Sequence, residues 1–220
     1  MNPLTYAEEN YLKAIYHLSE GGKKGVSTND ISGEMKTKPA SVSDMLRKLG
    51  DKAVIEYRKY YGVHITEEGK KIALQTIRKH RLWEVFLVEK LKFSWDEVHE
   101  VADELEHIKS GILIQRLDEY LGFPKFDPHG DPIPDEYGDV RSRPRIPLNE
   151  LELHSAGQIV AVKDSSAAFL RYLDKVGAYI GARIKVTDKV EFDGSIEILV
   201  DNKKSIFMSK DVAGNILVMQ

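Results

Sequence analysis

PASVSDMLRKLGDKAVIEYRKYYGVHIT, residues 39–66, reads as one helix followed by two short strands. Pro39 suits a first helical turn, where its missing N–H has no intrahelical partner to lose. Val42, Met45, Leu46 and Leu49 recur at three- and four-residue spacing and predict an inward apolar face. The opposite face carries Ala40, Ser41, Ser43, Asp44, Arg47 and Lys48, all small or polar. VIEYRKYYGVHIT then splits into two strands about a Tyr61-Gly62 turn, with Arg58, Lys59, Tyr60 and Tyr61 at its tip.

Towards the N-terminus, Thr5–Glu20 predicts a helix opened by a Thr5/Glu8 capping box, with Tyr11, Leu12, Ile15, Tyr16 and Leu18 facing inward. GGKKG ends it, and Ser27 or Thr28 caps a short second helix, TNDISGEM. Helix, helix, turn, helix, hairpin is the order of a winged helix-turn-helix. Its third helix can enter a major groove while the basic tip follows phosphates. The candidate DNA contacts are Thr28, Lys38, Pro39, Ala40, Ser41, Ser43, Arg47, Lys48, Arg58, Lys59 and Tyr61. The net charge of −3 hides a local polarity: Lys36 to Lys59 holds seven Lys/Arg against three acids, the balance phosphate binding needs. A protein-binding winged helix is the competing reading.

Towards the C-terminus, a long helix of roughly residues 67–92 leads into a histidine-rich stretch. His80, His99 and His107 each have a carboxylate close by: Glu84, Asp103 and Glu106. Residues four apart project from nearly the same side of a helix, so each i,i+4 pair offers imidazole and carboxylate together. Ser94 with Glu97 predicts a capping box that opens the helix carrying His99 to His107. On that helix Val98, Val101, Ala102, Leu105 and Ile108 form the core stripe, and His99, Asp103, Glu106 and His107 a second stripe beside it. Ser94 to Ile108 contains six acids and no Lys or Arg, and packed acids repel unless a cation neutralises them. Imidazole with carboxylate suits a divalent transition metal; chance neighbours on a charged surface helix are the alternative.

The chain has no cysteine, which excludes disulfides, thiolate zinc sites and thiol nucleophiles and leaves only N and O ligands. No apolar run approaches the roughly 20 residues of a membrane span, and MNPLTYAEENY lacks a secretory apolar region, so a cytoplasmic protein without membrane contact is expected. Leu82, Trp83, Phe86, Leu87, Leu105, Ile108, Ile112, Leu113, Leu117 and Leu121 exceed what one thin helical layer covers and predict a helical homodimer interface. FPKFDPHGDPIPDEYGD reads as an ordered turn, followed by a linker to about Leu153. From His154 onward AGQIVAVKD, a short helix SSAAFLRYLDKVG, ARIKVTDKV, SIEILVDN, KSIFMS and NILVMQ alternate with turns at Asp193-Gly194 and Ala213-Gly214-Asn215, as in a small β-barrel. The expected fold is mainly α with small β parts. It has a winged helix-turn-helix over 1–66, a helical metal-binding and dimerisation domain over 67–139, a linker over 140–153 and an SH3-like barrel over 154–220.

With YLKAIYHL, KPASVSDMLRKL, GVHITEEGKKIA, RKHRLWEVFL, VHEVADELEH and DPHGDPIP in order, nearly the whole chain resembles the diphtheria-toxin-repressor family of metal-dependent bacterial repressors, which includes manganese-transport regulators. The resemblance implies operator DNA as partner, a homodimer, and two divalent-metal sites per subunit. The primary one would use Asn10, Asp103, Glu106 and His107. The ancillary one would use His80, Glu84 and His99, with Asp164 at the family's acidic position in the barrel. Iron-responsive members carry methionine and cysteine where Asn10 and Asp103 stand, and manganese-responsive members carry acids at both. The absence of sulfur ligands favours Mn²⁺ over Fe²⁺. The implied function is a repressor of manganese or iron homeostasis genes, with an iron(II)-dependent repressor as the alternative. A metal-independent DNA-binding or scaffold protein with vestigial ligands is the reading from another class. Against an enzyme, the Glu-x-x-His of Glu104 and His107 has no second copy to build a di-iron bundle. No G-x-S-x-G elbow is present either, so neither catalysis nor a small-molecule substrate is expected.

Overall fold

The computed structural model describes residues 3–58, 61–140 and 144–220. The chain divides into two compact units: Met1–His80 with Asp103–Ile114 and Pro134–Val140, and Arg81–Ala102 with Gln115–Ile133 and Arg141–Gln220.

The first unit opens with α1 (Tyr6–Leu18), where Thr5 and Glu8 form the expected capping box. Ser27 rather than Thr28 caps α2 (Thr28–Glu34), with Asp30 completing a second box, and α3 runs Pro39–Asp51. Leu12, Ile15, Ile31, Val42, Leu49 and Val63 are buried together, so the apolar spacing of the three helices converges on one core. β1 (Ile55–Arg58) and β2 (Gly62–Ile65) pair antiparallel as the wing. Val26 bridges to Val63 at the wing's base. Gly62 has φ +82°, and a Cβ there would lie 2.5 Å from the Val26 carbonyl, so this crossing needs glycine. α4 (Glu67–Glu89) begins in this unit; the ends of α5 (Val98–Leu105) and the start of α6 (Gly111–Tyr120) return to it.

Glu8 does more than cap. Its carboxylate also takes the Lys52 ammonium at 2.7 Å, tying α1 to the end of α3. Burial raises its pKa, but the Lys52 and Thr5 hydrogen bonds outweigh this and hold it below the usual value. A depressed carboxylate pKa stabilises the fold above the unfolded-state value, and that contribution disappears as pH falls through the folded-state value. Glu8→Gln is therefore expected to destabilise the unit by about 1–2 kcal/mol at neutral pH. Denaturant melts of the two proteins should converge as pH falls through the depressed folded-state value, below the ordinary glutamate value of about 4.3. A gap that persists there would assign the loss to packing instead of charge.

The second unit contains the remainder of α4, α5 and α6, and a six-stranded antiparallel sheet of order β3-β8-β4-β5-β6-β7. Its strands are β3 (Ile146–Pro147), β4 (Ala156–Val162), β5 (Arg183–Lys189), β6 (Ile196–Val200), β7 (Lys204–Met208) and β8 (Ile216–Met219). Register shifts at Ile159/Ala161 and Val186/Asp188 allow the sheet to bend. The strands and α7 (Ala167–Val176) share one core of Ile159, Leu170, Val186, Ile198, Ile216 and their neighbours, the expected small barrel. Two stretches differ from expectation. The segment read as linker includes β3 and a 3₁₀ turn, Leu148–Glu150, and fully buries Leu148 and Leu151, whose apolar side chains belong to the barrel core. Ala213-Gly214-Asn215 is no tight turn but the end of α8 (Lys210–Gly214), because the Ser209 side chain accepts from the Val212 N–H and starts a helix.

Candidate metal centre

In the first unit, His80 near the middle of α4, Asp103 on α5 and Glu106 just beyond it converge. His80 Nδ1 lies 2.7 Å from Glu106 Oε2 and 3.2 Å from Asp103 Oδ1, and one ligand atom from each of the three falls within 4.8 Å of the others. α1 supplies a second wall. Lys13 Nζ donates to Asp103 Oδ1 at 3.0 Å and to both Glu106 oxygens at 2.7–2.8 Å. Glu9 Oε2 lies 2.6 Å from His107 Nδ1, while His107 Nε2 is 3.6 Å from Glu106 Oε1 and Tyr6 stacks on its ring. Glu106 and His107 are buried, Asp103 is half open, and Asn10 follows Glu9 on the same helix.

Three carboxylates thus face two imidazoles and Lys13. Burial alone would raise the Asp103 carboxyl, but His80 and Lys13 overrule it and hold the group far below its ordinary range. Lys79 is pushed down by burial despite the pull of Glu9 and Glu106. The buried Asn10 Oδ1 has no hydrogen-bond partner among the described residues. An orphaned amide oxygen on the helix that also carries Glu9 and Lys13 into this cluster fits a hard divalent cation, which accepts oxygen and nitrogen donors together.

Glu84 and His99 belong to the second unit, where they meet each other and a histidine that sequence spacing did not reveal. His99 Nδ1 is 2.7 Å from Glu84 Oε1, and His129 Nδ1 is 3.7 Å from the same oxygen. Glu84, Asp127 and His129 place their ligand atoms within 4.8 Å of one another, all buried. The His129 Nε2–H donates to the Trp95 carbonyl at 2.7 Å, which leaves Nδ1 as the nitrogen facing Glu84. His99 stacks on the His129 ring at 4.7 Å. Burial and repulsion from Glu84 and Asp131 push the Asp127 carboxyl up to about 7, with Arg81 and His129 opposing. Burial depresses the His129 pKa, but Glu84 and Asp127 win and leave it raised.

The barrel holds this site by its backbone. Val162 N–H donates to the His129 carbonyl, and Gly130, at φ +83°, packs where a Cβ would lie 1.9 Å from the Val160 carbonyl. Asp164 accepts from Ser166 N–H at the entry to α7 and lies in none of the clusters described.

The helical wheel runs out before the ligands do. α5 starts at Val98, four residues after Ser94, although Ser94 N–H still donates to Glu97 at 3.2 Å. It ends at Leu105, so Glu106 and His107 lie in a turn with no place on the helical stripe. Spacing pairs His80 with Glu84 and His99 with Asp103; in the fold His80 meets Glu106 and Asp103, and Glu84 meets His99, two of the residues the resemblance implies for the ancillary site. Helical spacing gives no signal for Glu9, Lys13, Asp127 or His129. A usable signal for the last two was the doubled Asp-x-x-Gly-Asp, at 127–131 and 135–139. In both copies the first Asp carboxylate accepts two backbone N–H groups.

On the candidate DNA face Lys38, Pro39, Ala40, Ser41, Ser43, Arg47, Lys48, Arg58 and Tyr61 are exposed, and Thr28 is half-buried. Lys59 lies outside the described residues. Among the described residues no helix is long and apolar enough to cross a membrane.

Known proteins match this chain domain by domain. The iron-dependent-repressor N-terminal DNA-binding domain matches residues 3–63, its metal-binding and dimerisation domain residues 66–135, and the FeoA domain residues 146–220. The chain is 32% identical over 134 residues to the iron-dependent repressor IdeR of Mycobacterium tuberculosis, an alignment spanning 61% of this chain and 58% of that protein. It is 27% identical to the diphtheria toxin repressor of Corynebacterium diphtheriae over 99% of both chains. A solved manganese-dependent transcriptional repressor in complex with manganese superposes with a TM-score of 0.85 at 33% identity, covering 97% of this chain and 99% of that one. With both units, both histidine–carboxylate clusters and the wing in place, this chain belongs to the diphtheria-toxin-repressor family of metal-dependent transcriptional repressors.

Proposed function

We propose that this chain is a cytoplasmic, homodimeric repressor that binds operator DNA when Mn²⁺ is plentiful. The observation that carries the reading is the convergence of α1, from the DNA-binding fold, with His80, Asp103, Glu106 and His107 in a single compact unit. Asn10, Asp103, Glu106 and His107 would hold the activating ion, with His80 turned towards it. Glu84, Asp127 and His129, with His99 beside them, would hold a second. Bound there, a divalent cation would supply positive charge to Asp103 and Glu106 in the first site and to Glu84 and Asp127 in the second.

The residues then do the rest. Asn10 and Glu9 fix α1, and Asp103, Glu106 and His107 fix the end of α5 and the turn after it, so a shared ligand set restrains the recognition helix α3 through α1. Two winged helices must present their α3 helices one DNA turn apart, roughly 34–36 Å, to read adjacent major grooves. A restraint that favours this spacing is worth about 1–3 kcal/mol of coupling. The exposed Ile112 and Leu113 at the start of α6 are offered to the partner subunit. Nitrogen and oxygen donors without sulfur favour Mn²⁺ over Fe²⁺.

The test is fluorescence anisotropy on a palindromic operator of the family type, at fixed salt, with Mn²⁺, anaerobic Fe²⁺, Zn²⁺ or chelator. Tight binding first reached with Mn²⁺ is the expected result. Earlier saturation by Fe²⁺ would make this an iron-responsive repressor, and equal binding in chelator would remove metal sensing from the function.

A further inference from the structure

We infer that Lys13 is a built-in competitor for the activating ion, holding the primary cluster closed until a divalent cation displaces it. The inference rests on the metal-responsive reading above and adds what sets its threshold.

The Lys13 ammonium spends its three protons on Asp103 Oδ1, Glu106 Oε1 and Glu106 Oε2, at 2.7–3.0 Å. Two of these oxygens, Asp103 Oδ1 and Glu106 Oε2, are the ones His80 Nδ1 also approaches. The lone pairs that hold the ammonium are therefore those that would coordinate a cation. Both cannot be served at once, since a divalent ion and an ammonium on the same oxygens repel each other. Glu106 is fully buried, whereas the Lys13 side chain is 21% exposed. The lysine consequently has a way out to water that the carboxylate lacks. A compact, hydrated ammonium on a flexible four-carbon stem can leave at small cost; a planar guanidinium, bound by two parallel hydrogen bonds, would leave less readily.

Two consequences follow. In the metal-free protein Lys13 offsets the repulsion between Asp103 and Glu106 and keeps these ligands gathered. Metal affinity is lower than the donor set alone would give, because these charged hydrogen bonds must first be broken.

The experiment measures Mn²⁺ affinity of the full chain by competition with a fluorescent chelator, alongside thermal melts with and without Mn²⁺. Lys13→Met is expected to tighten Mn²⁺ binding about ten- to a hundredfold, the equivalent of one charged hydrogen bond or slightly more. It should also lower the melting temperature of the metal-free protein but not of the Mn²⁺-loaded one. Lys109→Met removes the same charge from a lysine bonded instead to the Leu4 carbonyl, and should change the affinity by less than about threefold. Lys13→Arg should weaken Mn²⁺ binding about tenfold, which keeps the test open if the methionine variant does not fold. Equal affinity in wild type and both Lys13 variants, or equal gains from Lys13→Met and Lys109→Met, would overturn the displacement role and leave the metal-responsive reading intact. A wild-type chain that binds no divalent ion would overturn both.

Discussion

Glu106→Gln is expected to abolish the Mn²⁺ response of operator binding while leaving metal-independent, low-affinity DNA binding in place. Glu106 meets three partners in the proposed centre, Lys13, His80 and His107. It is fully buried, accepts both hydrogen bonds from Lys13, lies 2.7 Å from His80 Nδ1 and approaches His107 Nε2 at 3.6 Å. Glutamine keeps the shape but replaces one acceptor oxygen by an NH₂ group, which would face an ammonium or an imidazole. Loss of one anionic ligand should weaken the apparent Mn²⁺ affinity by about 100-fold or more, beyond the 10–100-fold typical of outer partners. The fold should survive, because Lys13 can turn to water; a loss of about 1–3 kcal/mol in stability is expected from the broken charged hydrogen bonds. Anisotropy titrations with Mn²⁺, paired with a chemical melt, separate the two effects. An unchanged Mn²⁺ midpoint in a folded variant would remove Glu106 from the ligands and dissolve the proposed centre.

The sequence revealed the DNA-binding half better than the metal-binding half, and for a physical reason. Capping boxes, the Pro39 start and the apolar spacing of α1 and α3 are local signals, decided within one or two helical turns. They placed Thr5, Glu8, Val42 and Leu49 correctly. The metal clusters depend on contacts between residues 15 to 98 positions apart, such as His99 with Glu84 and Glu9 with His107. A helical wheel holds only while the helix lasts, and α5 ends at Leu105, one residue before Glu106. His129 was harder still. It is brought to Glu84 by a turn that only Gly130 lets settle on strand β4, so its position depends on tertiary packing that periodicity does not encode.

Arg47→Ala is expected to cost specific operator binding about 1–3 kcal/mol, a five- to 150-fold loss, with little effect on random DNA. On α3, Val42 and Leu49 are fully buried and fix the helix's rotation. Ala40, Ser41, Ser43 and Arg47 consequently point outward as a fixed set. The small residues let the backbone approach the base edges, and Arg47 is then the side chain on this face with the reach and fork geometry for guanine O6 and N7. Its present partner, Asp44 at 3.3 Å, does not hold it back. Both side chains are over two-thirds exposed, and such pairs contribute less than about 1 kcal/mol. Arg58 on the wing provides the contrast. Paired to Glu56 at 3.1 Å and also exposed, it should contact phosphate. Arg58→Ala should then weaken operator and random DNA alike and reduce the salt slope by about one. Anisotropy across several salt concentrations on both DNAs distinguishes the two residues. Parallel loss on both DNAs for Arg47→Ala would make it a phosphate contact, and base reading would then rest on Ser41, Ser43 and Lys48.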